Sequence, residues 1–324
     1  MGTRNLILIV CAMVLAIAGC TATSSQAPQA LDQIRQLSKP AKPWGIYQIL
    51  WRTPQFTQEL DRNLNLLGGN PEYVLFFRDL HKGREFPSSI VRVADERGLT
   101  PIISLELSTW GREGPGYLQG IIKGDYDHFF SQWGRDAAAW GKPILLRFGF
   151  EMNGDWFHWG QQPEAFIAAW KRAHALMKDA GADNVQWVFN PNVLYGGMNA
   201  DEGIHPYYPG DEVVDVVALD GYNFGDNHGK WHSWQSYHEV FEASIEAMSR
   251  YQKPLILTEV GCADDPRKAG WLADCLTRIQ DDQRVDGVVF FHFDKRRENE
   301  HNWRLDSDPQ SLDVFRAWAQ LPEH

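Results

Sequence analysis

From Trp44 onward the chain repeats one pattern: a short, nearly continuous apolar run, a longer amphipathic stretch, then another run. The runs are Gly45–Trp51, Tyr73–Asp79, Pro101–Glu106, Pro143–Glu151, Val185–Asn190, Val213–Asp220, Pro254–Glu259 and Val288–Phe293. Runs of this length, almost wholly apolar and rich in branched residues, read as strands buried on both faces. Between them Pro163–Ala180 keeps Phe166, Trp170, Ala173 and Met177 at helical spacing, with Gly181 as a stop. Tyr237–Ser249 does the same with Val240, Phe241, Ile245 and Met248, whereas the Gly- and Pro-rich Val193–Asp211 reads as mostly loop. Strict strand–helix alternation predicts a parallel sheet. Eight such units over residues 43–322 predict a closed (β/α)8 barrel rather than an open sheet. No Gly-rich phosphate fingerprint follows any strand, which weakens a dinucleotide-binding reading.

Composition narrows the partners. The chain has 324 residues, 44% hydrophobic and 23% charged, which fits a globular protein. A net charge of -11 repels phosphate backbones and speaks against nucleic acid. Fourteen tryptophans suit a core, but also a surface that stacks on flat ligands.

The amino terminus reads as an address. Arg4 precedes an unbroken apolar run from Leu6 to Ala18, too short to span ~30 Å of hydrocarbon but suited to a signal peptide over residues 1–19. The run closes on Ile17-Ala18-Gly19-Cys20, which resembles the lipobox of bacterial lipoproteins. That resemblance implies an exported protein anchored to a membrane through a lipid on Cys20; ordinary signal cleavage after Ala22 is the alternative. Residues 20–42 are small, polar and Pro-punctuated, and are expected to form a flexible tether. Cys262 and Cys275 remain, and a disulfide and two buried thiols both stay open.

In barrels of this kind chemistry gathers at the C-terminal ends of the strands. Those ends carry Asp79, Glu106, Glu151, Asp220, Glu259 and Asp294. So many acids around one mouth are costly to bury for packing alone. Glu151, closing the fourth run, and Glu259, closing the seventh, stand out as a pair able to point into one cleft. Glycoside hydrolysis needs such a pair: an acid to protonate the leaving oxygen and a carboxylate to meet the developing oxocarbenium. At about 5–5.5 Å separation the carboxylate attacks directly and configuration is retained. Phe150, Met152 and Trp156 flank Glu151, and an apolar setting would keep that acid protonated.

The segment Arg147–Trp159 (RFGFEMNGDWFHW) resembles the acid/base region of glycoside hydrolase family 26. Asn190-Pro191-Asn192, Asp220-Gly221-Tyr222-Asn223, Thr258-Glu259-Val260-Gly261 and Asn302-Trp303-Arg304 continue the match in family order over Trp44–Leu321. The resemblance implies a retaining β-mannanase or mixed-linkage β-glucanase, with Glu151 as general acid/base, Glu259 as nucleophile and no cofactor. It further implies Tyr222 beside the nucleophile, Trp156 and Trp303 lining the sugar sites, and Arg304 at the cleft. Trp110, Trp159 and Trp231 read equally as sugar contacts or as packing beneath loops. One position departs from the pattern: mannanases of the family usually carry His directly before the acid/base, and here Phe150 stands there. A phenyl ring cannot donate, so Glu259 is expected to be oriented by Tyr222 or Asn190.

The first expectation is therefore a retaining endo-glycosidase acting on β-1,4-mannan or glucomannan, with mixed-linkage β-1,3-1,4-glucan as the alternative substrate. A silent glycan-binding lipoprotein is the reading from another class, disfavoured because binding alone needs no pair of acids. A metal-dependent hydrolase is disfavoured too. No HExxH occurs, and His158, His292 and His301 are scattered singly.

Overall fold

Strand parity decides what the barrel encloses. The computed structural model describes residues 26–49, 52–80, 85–107, 117–229 and 232–321. Strands β1 (Trp44–Tyr47), β2 (Tyr73–Asp79), β3 (Thr100–Glu106), β4 (Ile144–Phe148), β5 (Val185–Phe189), β6 (Val216–Asn223), β7 (Leu255–Cys262) and β8 (Gly287–Phe290) pair in parallel in chain order. β1 also pairs with β8 (Trp44 opposite Val288), which closes the barrel. Helices α1 (Gln26–Arg35), α2 (Thr53–Leu67), α3 (Ser88–Asp95), α4 (Tyr117–Lys123), α5 (Asp127–Trp140), α6 (Pro163–Asp179), α7 (Ala200–Gly203), α8 (Tyr237–Ser249), α9 (Lys268–Asp281) and α10 (Pro309–Ala319) complete the fold. The expected (β/α)8 architecture is the observed one.

One apolar layer, including Leu75, Ile102, Leu145, Val188, Ala218, Ile256 and Val289, fills the interior. Two residues further along each strand the next inward layer begins, because side chains alternate across a strand. On β3 to β7 that layer is Ser104, Arg147, Asn190, Asp220 and Thr258, all fully buried. A polar layer resting on an apolar plug forms the floor of the mouth.

Several boundaries differ from the sequence expectation. β4 stops at Phe148 rather than Glu151, because Gly149 turns into left-handed backbone (φ +55°). β6 and β7 run on to Asn223 and Cys262, and β8 ends at Phe290. The expected loop Val193–Asp211 holds only α7 and a single 3-10 turn, His205–Tyr207. The tether is a larger correction. Gln26–Arg35 is helical, with Ala30 and Ile34 one turn apart and buried against α9 and α10. Lys42 then donates to the carbonyls of Asp282 and Val285 and Gln280 to that of Pro40, so the segment is bound to the barrel wall. Cys262 and Cys275 are free, buried thiols. Residues 1–25, with Cys20, lie outside the described residues.

Candidate active site

The polar layer is organised by Arg147. Its side chain is wholly buried and donates from Nε to Asn190 Oδ1 (2.6 Å), from Nη1 to Ser104 Oγ (2.7 Å) and Glu259 Oε1 (2.9 Å), and from Nη2 to Asp220 Oδ2. Thr258 Oγ1 donates to Asp220 Oδ1 at 2.9 Å and also to Asn190 Oδ1. A buried guanidinium with this many charge-assisted partners is held in one geometry. Its carboxylate partners are fixed with it.

Glu259 reaches the interior because β7 carries one extra residue. Leu219 pairs with Leu257 but Asp220 with Glu259, and on the other side Leu257 pairs with Val288 but Val260 with Phe290. The bulge at Thr258 lets two consecutive side chains, Thr258 and Glu259, face inward, a common device beside functional sites. The remaining oxygen of Glu259 accepts from the Tyr222 hydroxyl at 2.5 Å. Burial and the neighbouring Glu259 push Tyr222 well above its ordinary range, so the hydroxyl keeps the proton it donates.

Glu151 arrives by a different route. After β4 both Gly149 and Glu151 (φ +51°) take left-handed backbone. A Cβ on residue 149 would stand 2.6 Å from Leu107, so only glycine fits there. Glu151 bears strain of about 1–3 kcal/mol, of the kind found where function fixes a side chain. Its N–H donates to the Asn190 carbonyl at 2.7 Å, which ties the turn to β5. Burial first, and then the charge of Glu259, raise the Glu151 carboxyl to about 8, opposed by a 2.6 Å hydrogen bond from Trp156 Nε1. Glu151, Asp220 and Glu259 each place a carboxylate oxygen within 4.8 Å of the others. One acid kept protonated thus faces one carboxylate held by two donors across a gap a few ångströms wide. The same three acids are the only group among the described residues close enough to share a cation, and Arg147 already supplies positive charge to two of them.

The remaining predicted residues divide. Trp156 is 46% exposed and lies against Tyr195 (5.4 Å between rings) at the mouth. Gly154 lies beneath it, where a Cβ would meet the indole at 2.3 Å. Trp303 does not present a face to the cleft: it is 2% exposed and packs behind Tyr222 (4.8 Å), so it supports the tyrosine that holds Glu259. Trp159 is a packing residue, buried, stacked on Phe157 and donating to the Phe150 carbonyl at 2.8 Å. Arg304 is bidentate to Asp306 and borders a pocket beside β1 and β8. Asn190 does not touch Glu259; it acts through Arg147. Asp294 pairs with Arg296 on the rim. Trp110 and Trp231 lie outside the described residues. Asp220 was read only as one acid of the set, and Arg147, Ser104 and Thr258 carried no role in the sequence reading. The available signal was an arginine inside the apolar run Ile144–Phe148.

Comparison with known proteins agrees with this arrangement. Residues 122–262 match glycosyl hydrolase family 26. Endoglucanase H of Acetivibrio thermocellus is 34% identical over 205 residues, covering 60% of this chain and 22% of that protein. A mannan endo-1,4-beta-mannosidase of Bacillus subtilis is 32% identical over 131 residues, 37% of this chain and 31% of that one. The chain therefore spans about a fifth to a third of the length of these relatives. Among solved structures, a beta-mannanase of Bacteroides ovatus superposes with a TM-score of 0.63 at 18% identity, covering 93% of this chain and 94% of that one. That likeness shows the shared barrel. The segment that matches glycosyl hydrolase family 26 runs from the end of α4 to the end of β7, through both acids and their arginine.

Proposed function

We propose that this protein is a retaining endo-glycosidase acting on β-1,4-mannan or glucomannan. The observation that carries the chemistry is the approach of Glu151 and Glu259 to within 4.8 Å, the spacing of direct displacement rather than of a water-separated pair. Glu259 attacks the anomeric carbon while Glu151 gives its proton to the departing oxygen. Water, deprotonated by Glu151, then attacks the same carbon and frees Glu259. The mannosidase names borne by relatives support the choice of mannan. The test is reducing-sugar release, with product sizing, from mannan, glucomannan and barley-type β-glucan. Release from β-glucan alone would move the substrate and leave the chemistry; binding without release from any would favour a silent lectin. Glu259→Ala is expected to abolish turnover while oligosaccharide binding persists, and equal loss of both would make Glu259 structural.

The Ile17–Cys20 motif supports export and a lipid on Cys20, which would hold the barrel at a membrane face. Metabolic labelling with a radioactive fatty acid tests it; an unlabelled mature chain would refute the anchor.

A further inference from the structure

Beyond Phe148 the fourth strand has ended, and its neighbour goes on without it. β5 stops at Phe189, yet Asn192 still pairs in parallel with Asp220 of β6. The Asp220 N–H donates to the Pro191 carbonyl (3.3 Å) and the Val193 N–H to the Asp220 carbonyl (2.9 Å). Peptide groups alternate between the two edges of a strand, so the N–H and C=O of Asn192 face the other edge, where β4 would have run. β4 does not reach that far, because Gly149 and Glu151 have already turned into left-handed backbone. The peptide groups of Asn192 need a partner from elsewhere.

Asn153 provides it. Its side chain, 1% exposed, donates from Nδ2 to the Asn192 carbonyl at 2.9 Å and accepts at Oδ1 from the Asn192 N–H at 2.8 Å. A backbone carbonyl only accepts and a backbone N–H only donates, so these partners fix which way the amide points. A primary amide repeats the donor and acceptor of a peptide group, and does for Asn192 what a further residue of β4 would have done. On the same edge the Glu151 N–H donates to the Asn190 carbonyl at 2.7 Å, so the turn that carries Glu151 meets the continuation of β5 at two successive ladder positions. The Gly154 N–H closes that turn onto the Glu151 carbonyl (3.0 Å), and the hydroxyl of Tyr195, whose ring lies against Trp156, donates to the Asn153 carbonyl at 3.4 Å.

Left-handed backbone at a residue other than glycine persists only where its surroundings over-determine it. Without the Asn153 amide the turn loses two of these three bonds to the β5 edge, and Asn192 loses the partner of both its peptide groups. We propose that Asn153 is a positioning residue for the acid: its side-chain amide replaces the missing end of β4 and holds the turn at the place where the Glu151 carboxyl faces Glu259. An enclosed side chain bonded to Asn192 through both its nitrogen and its oxygen acts on the turn rather than on substrate. Its part in catalysis rests on reading Glu151 as the acid/base; the clip between Asn153 and Asn192 does not.

Asn153→Leu in the full chain keeps the size of the side chain and removes both bonds. Its kcat on mannan should fall about a hundredfold, the loss expected when a catalytic group is displaced by about an ångström, with KM little changed. The burst of phenol from an aryl β-mannoside with a good leaving group, which needs little protonation, should stay within a few-fold of native. A defect of folding alone lowers both in step, and that result overturns the proposal. Asn153→Asp is the second variant: its protonated carboxyl offers the same donor and acceptor as the amide, its ionised form only acceptors. Its mannan rate should therefore approach native in acid and fall away from native as pH rises. A constant ratio to native at every pH overturns the proposal, and this variant decides if Asn153→Leu does not fold. If the native protein cleaves no glycan, the proposed activity fails and the clip is read by carboxyl-carbon NMR instead. Burial and Glu259 hold the native Glu151 carboxyl at about 8, and in Asn153→Leu it should titrate nearer 4.5 as water reaches the freed turn. An unmoved titration overturns the clip.

Discussion

Replacing Glu151 with Gln should stabilise the protein, and more so as the pH rises. The amide keeps the shape and can still accept from Trp156, but it never has to hold a buried charge. Burial and Glu259 raise the folded-state pKa of Glu151 from 4.5 to about 8. A group raised in this way favours the fold only while protonated. Its contribution is whole below about 4.5 and lost as pH climbs through about 8. Integrating the linkage, native Glu151 costs about 1 kcal/mol at pH 5, about 3 at pH 7 and about 5 at pH 9. Glu151→Gln removes that cost, so its melting temperature at pH 7 should exceed the native value by roughly 6 °C, at about 2 °C per kcal/mol for a large domain. Urea and thermal unfolding at the three pH values measure it. A gain identical at pH 5 and pH 9, or a variant less stable than native at pH 9, would refute the claim that Glu151 is held protonated. The same variant should still release a good aryl leaving group in the first step, with turnover then slowed where Glu151 would deprotonate water, while losing polysaccharide, because only the latter also needs protonation.

Two further outcomes follow from the same network. Arg147→Met leaves Asp220 and Glu259 as buried charges without their cation, and should cost about 3–5 kcal/mol of stability near neutral pH in urea unfolding. Burial already raises Asp220 and Arg147 opposes that rise, so without the cation the deficit should grow as pH rises and shrink in acid; adding Asp220→Asn should recover part of it, and a deficit independent of pH would make Arg147 a packing residue. Trp156→Phe removes the donor that favours the ionised form of Glu151, so the alkaline limb of the pH–rate profile should move to higher pH; an unmoved limb would break the link between the indole and the acid.

What could be read from the chain, and what could not, follows from how each feature is encoded. The barrel was visible because eight apolar runs repeat and nothing else explains them. Glu151 and Glu259 were visible as acids that end such runs. The reason that Glu259 faces inward was not visible. Simple alternation from inward Ile256 puts Thr258 and Val260 inside and Glu259 outside, and only the extra residue at Thr258 reverses the outcome. A bulge has no signature in the order of residues alone. Tryptophans failed for another reason: an indole looks the same in sequence whether it lies open, as Trp156 does, or wedged behind Tyr222, as Trp303 is. The tether failed because composition averaged over residues 20–42 hid Ala30 and Ile34 at helical spacing.

Phe150 looked like a loss, a ring without donors where the family usually carries a histidine that positions the nucleophile. The geometry changes the question from what donates to what shields. Glu259 already receives one donor at each oxygen, from Arg147 and Tyr222. The Phe150 ring lies over the Arg147 guanidinium carbon at 4.8 Å and is itself 3% exposed, wedged among Phe77, Phe157 and Trp159. A ring face there attracts the cation and keeps water from it. Excluding water lowers the local dielectric and strengthens each hydrogen bond that Arg147 makes to its carboxylates. Orientation of Glu259 thus passes to a buried arginine, and the phenyl ring preserves that arginine's field. An imidazole in its place would bring a polar atom among the apolar rings of Phe77, Phe157 and Trp159.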